Sequence, residues 1–538
     1  MAEPTLEAES TPVPALHKGR AAGIVGIFTM VVAVCGYFRE AMLAARFGVS
    51  NTMDAYFGAV FIPNVIYYVL VAGTLSPIFI PILLDEKGGE DRARISETFS
   101  VVMNFVMLAL LAVVLCGLIG APQWVPILFS GFDTATNQLA VRFVYLIFPA
   151  VLFLAIAGLL TSVLNGFHKF ALPAVAPAFS SITVILAVSL ARGPRAIYVV
   201  AMATAVGFML QAVLLFPSTA SLGIRYRPVF NLHHPAIRKL LRLWFPLFLY
   251  LAVSNISLLV ERNLASRLSA GAVSVLYYAL RLFTVPSNFL AAPLAIVAYP
   301  GFAREAKRDG RGELVDQLSR MFGLVIFLFV PVTVWTLLNA LPVTRLLYEH
   351  GRFLQADSLV TAHVLSIYSL GVIANAIAVL LLRCYFAIED TVTPLIAELV
   401  SLVFFVAAAP FLTHRFGISG LAVARCATFW LVIAIYMFVL WRKQRLLRFD
   451  FQFVRLLLLT LAATAVMALV SWSSLHLLQP WFDTGHILVR LAVLLIVLSI
   501  SLGVFLGLAR LFKLSQAKQI VRTVRDLLPG AASRDGRE

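Results

Sequence analysis

Charged side chains stand where charge is expensive. Arg39 and Glu40 sit together in GYFREAMLAARFG, Arg281 lies in LYYALRLFTVPSN, and Arg142, Glu398 and Arg425 interrupt other apolar runs. An ionisable group inside a membrane-length apolar helix is costly, so each marks a wet cavity, an interhelix pair or a binding site. Neighbouring residues on a helix point about 100° apart, so Arg39 and Glu40 are predicted not to pair with each other. Arg39 either faces a cavity or snorkels to the interface. Arg281 lies about ten residues from its helix end, about 15 Å deep, which is too far for easy snorkelling. Asp54 opens the second helix, where it either favours the helix dipole or acts on a ligand. Glu261 and Arg262 close a later helix and read as an interfacial ion pair.

Two helices carry an interior proline followed closely by asparagine: Pro63-Asn64 and Pro286-Ser287-Asn288. Proline removes a backbone donor, so one carbonyl needs another partner, which Asn64 and Asn288 could supply. A fixed kink and a moving hinge at Pro63 and Pro286 read equally well. The histidines show no metal-ligand spacing, and the four cysteines, Cys35, Cys116, Cys384 and Cys426, read as small apolar side chains. No nucleotide, metalloprotease or nucleophile-elbow motif occurs in a workable setting, and the links are too short to house catalysis. These features point to a non-enzymatic protein without a metal or organic cofactor. Work across a membrane would then draw on an ion gradient such as sodium, on the membrane potential, or on the cargo's own gradient.

The elements that position these residues are membrane helices. The chain has 538 residues, of which 61% are hydrophobic and 13% charged. That is far from the roughly half apolar and quarter charged balance of soluble domains. The apolar runs are about 20 to 30 residues long, which favours helices over a barrel. An all-α polytopic membrane protein of about fourteen spans is predicted. The spans are 21–47, 54–84, 95–120, 136–165, 171–191, 196–217, 236–262, 271–303, 314–341, 355–386, 392–412, 418–441, 452–477 and 486–512. Residues 1–20 read as a disordered tail and 513–538 as a basic tail.

Charge placement sets the expected orientation. With a cytoplasmic N-terminus, about 29 of the 42 Lys and Arg fall in cytoplasmic segments and about 8 in the opposite links. Both termini are then cytoplasmic. The net charge of +16 becomes a topology signal with contact to anionic lipids as a consequence, and no nucleic-acid partner is implied.

Similar stretches recur at an offset of roughly 220 residues, the signature of a duplication. Examples are ARFGVSNTMDAYFGAVFIPN with SRLSAGAVSVLYYALRLFTVPSN, and LNGFHKFALP with LRCYFAIEDTVTP. The expected organisation is a six-helix N-lobe at 21–217, a basic linker at 218–235, a pseudo-symmetric six-helix C-lobe at 236–441 and two further helices at 452–512. Six is even, so both lobes insert alike, and a substrate site near the midplane is expected.

The segments GYFREAMLAARFGVSNTMDAYFGAVFIPN, ERNLASRLSAGAVSVLYYALRLFTVPSNFL and LLYEHGRFLQADS resemble the MurJ (MviN) family of lipid II flippases, within the multidrug/oligosaccharidyl-lipid/polysaccharide exporter superfamily. The resemblance implies an inner-membrane flippase. It would carry undecaprenyl-pyrophosphate-linked muropeptide (lipid II) from the cytoplasmic to the periplasmic leaflet by alternating access. Membrane lipids and a cell-wall synthesis complex are the further partners implied. Arg39, Asp54 and Arg281 match family cavity positions, with Asn64 and Asn288 beside them. Glu261 resembles an acidic position near a sodium site in some members. Guanidinium groups bind oxyanions bidentately, which suits a pyrophosphate cargo. Ala33, Tyr67, Ala72 and Leu280 stand where family members carry charge, so this is a divergent member with a less charged cavity. The alternatives are a flippase for another isoprenoid-linked oligosaccharide, a drug antiporter of the same superfamily, a membrane scaffold, or a polytopic glycosyltransferase.

Overall fold

The computed structural model describes residues 15–69, 92–231, 233–306, 311–444, 451–514 and 516–517. Among them the structure is helical: α1 Ala15–Phe47, α2 Asn51–Tyr67, α3 Arg92–Leu128, α4 Thr134–Ile147, α5 Ala150–Gly166, α6 Ala171–Leu190, α7 Ala196–Ala220, α8 Pro235–Ser266, α9 Ala272–Pro286, α10 Ala292–Ala306, α11 Arg311–Leu338, α12 Ala340–Tyr348, α13 Gln355–Ser369, α14 Val372–Ala387, α15 Val392–Val439, α16 Phe451–Thr484 and α17 Ile487–Leu511. Nine of these described helical stretches are long and apolar enough to cross a bilayer, or eleven when two bent pairs, α4–α5 at 42° and α13–α14 at 45°, each count as one. The chain is a multi-pass membrane protein.

Several predicted boundaries move. α1 begins at Ala15, inside the stretch expected to be disordered, because Ala15–Arg20 contains good helix formers and no proline. α3 continues to Leu128 through Pro122 and Pro126, and α16 continues to Thr484 through Pro480. Leu514 and Ala517, expected in the polar tail, are buried against Phe327, Leu456 and Phe505. The predicted spans at 392–412 and 418–441 fall on the two parts of α15, which is broken between them at Gly417 with φ +58°. The second predicted span is described only to residue 69, so its continuation to 84 lies outside the described residues.

The helices divide into two compact units. The first comprises Met1–Leu43, Ala59–Trp124 and Gln138–Leu251. In it α6 and α5 pack on α7. Gly207 of α7 lies so close to α6 that a Cβ would sit 2.7 Å from the Ser180 Cα, which is how small residues let membrane helices approach. α3 carries Ser96, Ser100 and Asn104 at i, i+4 and i+8, one polar stripe on its surface. The link after α7 lies along that stripe. The N–H groups of Arg225 and Arg227 donate to Ser96 Oγ (3.1 Å) and Ser100 Oγ (2.9 Å), and Asn104 Nδ2 donates to the Val229 carbonyl (2.8 Å). The basic linker is thereby strapped down while Arg225 and Arg227 keep exposed side chains.

The second unit comprises Ala44–Gly58, Val125–Asn137 and Ala252–Glu538. In it α9 packs on α13, α10 on α14, α11 on α16, and α16 on α17. The α16–α17 pair is fixed at two places. One is the Phe327, Met467 and Phe505 cluster; the other buries Phe482 with Val493, Leu494 and Val497.

Candidate functional site

Asp54 is 2% exposed and lies at the start of α2. It does not serve its own helix, whose first turn is met by Ser50 Oγ accepting the Met53 N–H. It caps α9 instead. The N-cap of α9 is Gly271, at φ +85°, which has no side chain to offer the free N–H groups of the first turn. Asp54 fills that role from a remote part of the chain. Oδ2 accepts from the Gly271 N–H at 2.8 Å, and Oδ1 accepts from the Ser274 N–H at 2.7 Å and from the Ser274 hydroxyl. Asp54 stands in the first turn of α2 as expected, and its carboxylate additionally caps α9.

Around this contact four turns are bolted together within the second unit. The Arg352 N–H donates to the Ala45 carbonyl at 2.8 Å. Gly48 and Gly351 have positive φ, and a Cβ on either would lie 2.5 or 2.3 Å from a carbonyl oxygen of the opposite turn. Gly131 presses as closely on Ser266 and Arg267. Asn263 Nδ2 donates to the Ile127 and Leu128 carbonyls, the open C-terminal end of α3. Phe57 stacks on Tyr277 at 3.8 Å, and Tyr278 packs edge-on against both Phe57 and Phe353. The result is a latch of backbone contacts, one carboxylate cap and an aromatic cluster.

Glu261 does not pair with Arg262. Arg262 turns away and donates to the Val273 carbonyl at 3.0 Å. Glu261, 2% exposed, takes Arg425 of α15 instead, with Nη2 to Oε2 at 2.7 Å and Nε to Oε2 at 3.1 Å. The Tyr368 hydroxyl donates to its other oxygen at 2.7 Å. Both carboxylate oxygens thus accept hydrogen bonds, and the guanidinium of Arg425 supplies the positive charge beside them. Sequence reading missed Arg425 as the partner because 164 residues separate the two. The i,i+4 spacing of Ser257 and Glu261 was the available signal for a shared polar face.

Arg39 and Glu40 do pair, contrary to expectation. Arg39 Nε lies 3.2 Å from Glu40 Oε1 and Nη2 lies closer, because two long side chains can wrap around the helix despite divergent Cβ directions. Glu40 is fully buried and Arg39 partly exposed. Arg281 is partly buried on α9, in the second unit, whereas Arg39 belongs to the first. Asn64 is exposed, and its Nδ2 donates to the Val60 carbonyl at 2.8 Å, one residue beyond the Ala59 carbonyl that Pro63 leaves open. Asn288 is also exposed, and its neighbour Ser287 is the residue held, accepting from Asn375 Nδ2 at 2.6 Å. Pro286 runs directly into a π-turn at Ser287–Ala291, and α2 widens likewise at residues 68–69, five residues after Pro63. Proline and π-turns are the usual sources of helix bends.

A family model described as lipid II flippase MurJ matches residues 43–518. The chain is 27% identical over 463 residues to a probable lipid II flippase MurJ of Buchnera aphidicola, covering 85% of this chain and 90% of that one. It is 30% identical over 386 residues to the lipid II flippase MurJ of Burkholderia cenocepacia, covering 70% and 74%. The solved structure of a lipid II flippase MurJ in an inward closed conformation superposes with a TM-score of 0.75 at 26% identity, covering 91% of this chain and 98% of that one. A multidrug MATE transporter of the MOP superfamily in an inward-facing conformation shares the fold, with a TM-score of 0.63 at 15% identity.

Proposed function

The chain belongs to the MurJ family of lipid II flippases, and from that premise we propose that it moves lipid II from the cytoplasmic to the periplasmic leaflet of a bacterial inner membrane by alternating access. It is a transporter in this reading, not a catalyst. The observation that carries it is the family match across residues 43–518.

The candidate site fits such a cycle. Lipid II carries a pyrophosphate, and guanidinium groups are the side chains best matched to it. Arg39 in the first unit and Arg281 in the second are each a candidate donor. Glu40 holds Arg39 in place and offsets its charge, so Arg39 would act on the headgroup through its remaining N–H donors. With both termini cytoplasmic, the turns at Gly48, Gly131, Gly271 and Gly351 face the periplasm, and their latch is the seal that opens for release. Each hydrogen bond in it contributes about 1 kcal/mol net and the carboxylate cap about 1–2 kcal/mol, so the whole is strong enough to hold and weak enough to open. Pro63 and Pro286, with their adjoining π-turns, are the points at which α2 and α9 would bend.

The test is depletion in cells, with lipid II in each leaflet read by its susceptibility to an externally added lipid II-cleaving enzyme. Depletion should leave lipid II protected on the inside. Wild type should restore its exposure, and Arg39→Ala or Arg281→Ala should restore much less. Normal exposure in a depleted strain that has no other flippase refutes the reading.

A further inference from the structure

The environment of Glu261 has the oxygens of a cation site and a side chain already sitting in it. Glu261 Oε2, the Ser257 hydroxyl and the Ser257 carbonyl gather on one spot, while the Tyr368 hydroxyl donates to the other Glu261 oxygen. Arg425 reaches that spot: Nε and Nη2 donate to Glu261, Nη1 donates to Ser257 Oγ at 3.1 Å, and Nη2 donates to the Ser257 carbonyl at 2.9 Å. The guanidinium lies 4.4 Å over the Phe405 ring, so one face is covered by an aromatic and its edges by oxygens. The groups come from α8, α13 and α15, all within the second unit.

A guanidinium stays protonated at any physiological pH and cannot leave. We propose that Arg425 is a tethered counter-ion, which permanently fills the place that a diffusible monovalent cation such as sodium would take between Glu261 and Ser257. The transport cycle of this chain is then not coupled to cation binding at Glu261, and the membrane potential or the cargo gradient is left to drive it. The converse also follows. Deleting the guanidinium leaves the Glu261 carboxylate with the hydroxyl and carbonyl oxygens of Ser257 and no positive charge beside them, a donor set suited to a hard cation. The sense of the coupling in these words rests on the transport reading; the ion-binding claim does not.

The experiment is thermal unfolding of the purified full-length protein in lipid nanodiscs, titrated with sodium chloride against choline chloride at constant ionic strength. Wild type should unfold at the same temperature in both salts. Arg425→Ala should have a lower midpoint in choline that rises with sodium and saturates, and Glu261→Gln/Arg425→Ala should lose that rise. A purely structural ion pair predicts no difference between the salts in any variant. A sodium-specific rise in wild type that Glu261→Gln abolishes overturns the proposal. So does a folded Arg425→Ala that responds to both salts alike. Should Arg425→Ala fail to fold, the comparison of wild type with Glu261→Gln decides. No arm uses lipid II, so failure here and failure of the flippase reading are told apart.

Discussion

Asp54 Oδ1 accepts both the backbone N–H and the hydroxyl of Ser274, a residue 220 positions further along the chain. The chain therefore caps α9 with a side chain from the α1–α2 turn, whose own helix is served by Ser50. A cap supplied in trans makes the stability of α9's first turn depend on the turns staying together. Local helix chemistry and closure of the latch are one event.

Removing that carboxylate should open the latch more often. An N-cap to Ala substitution costs about 1–2 kcal/mol, which is about a 5- to 30-fold shift in a two-state equilibrium. Ala55 is fully buried behind Asp54, so Ala55→Cys reports opening once Cys35, Cys116, Cys384 and Cys426 are replaced. Asp54→Ala should speed labelling of that cysteine by an impermeant maleimide by about 5- to 30-fold, and Asp54→Asn by less, since an amide oxygen still accepts but carries no charge. Unchanged labelling in Asp54→Ala would show that other contacts hold the turns.

Two glycines with the same backbone demand should differ sharply in cost. Gly193 and Gly351 both have positive φ, at +78° and +58°. Nothing lies near a Cβ on Gly193, whereas one on Gly351 would lie 2.3 Å from the Ala45 carbonyl oxygen. Gly193→Ala should cost only the left-handed backbone penalty of about 1–2 kcal/mol. Gly351→Ala must also push apart two backbones, and should lower the thermal midpoint several-fold more and impair lipid II exposure in cells. Equal midpoints would mean the α12–α13 link moves aside freely.

Helix positions were legible because apolar run length and charge placement are local signals, and Arg281 and Glu398 stand out by type alone. Partnerships were not legible. Asp54 looked like an aid to its own helix, and Glu261 looked like the partner of Arg262, because sequence offers only near neighbours. Their spacing from Pro63 and Pro286 suits Asn64 and Asn288 to the proline-freed carbonyls, yet Asn64 bonds to Val60, and Ser287 takes the contact next to Asn288. The stripe Ser96, Ser100, Asn104 was readable at helical spacing. Its partner, the backbone of residues 225–229, carries no sequence code for being bound.

Charge and packing can be separated where α16 meets α12. Arg345 pairs with Asp483 at 2.6 Å and with Glu349 at 3.0 Å, and Arg490 lies 3.6 Å from Glu349. Beneath them Phe482, 2% exposed, has Arg345 and Arg490 5.5 and 5.6 Å from its ring centre. The Asp483 side chain is 38% exposed, so solvent screens its pair, and Asp483→Asn should cost less than about 1 kcal/mol. Phe482→Ala empties a buried site and removes the surface both cations rest on, so it should cost about 3–5 kcal/mol. In thermal unfolding the Phe482→Ala midpoint should fall well below that of Asp483→Asn. Raising the salt concentration should shrink the Asp483→Asn effect and leave the Phe482→Ala effect standing. If the two variants cost the same, ion pairing rather than the packing of Phe482 on Val493, Leu494 and Val497 fastens the C-terminal helix pair at this end.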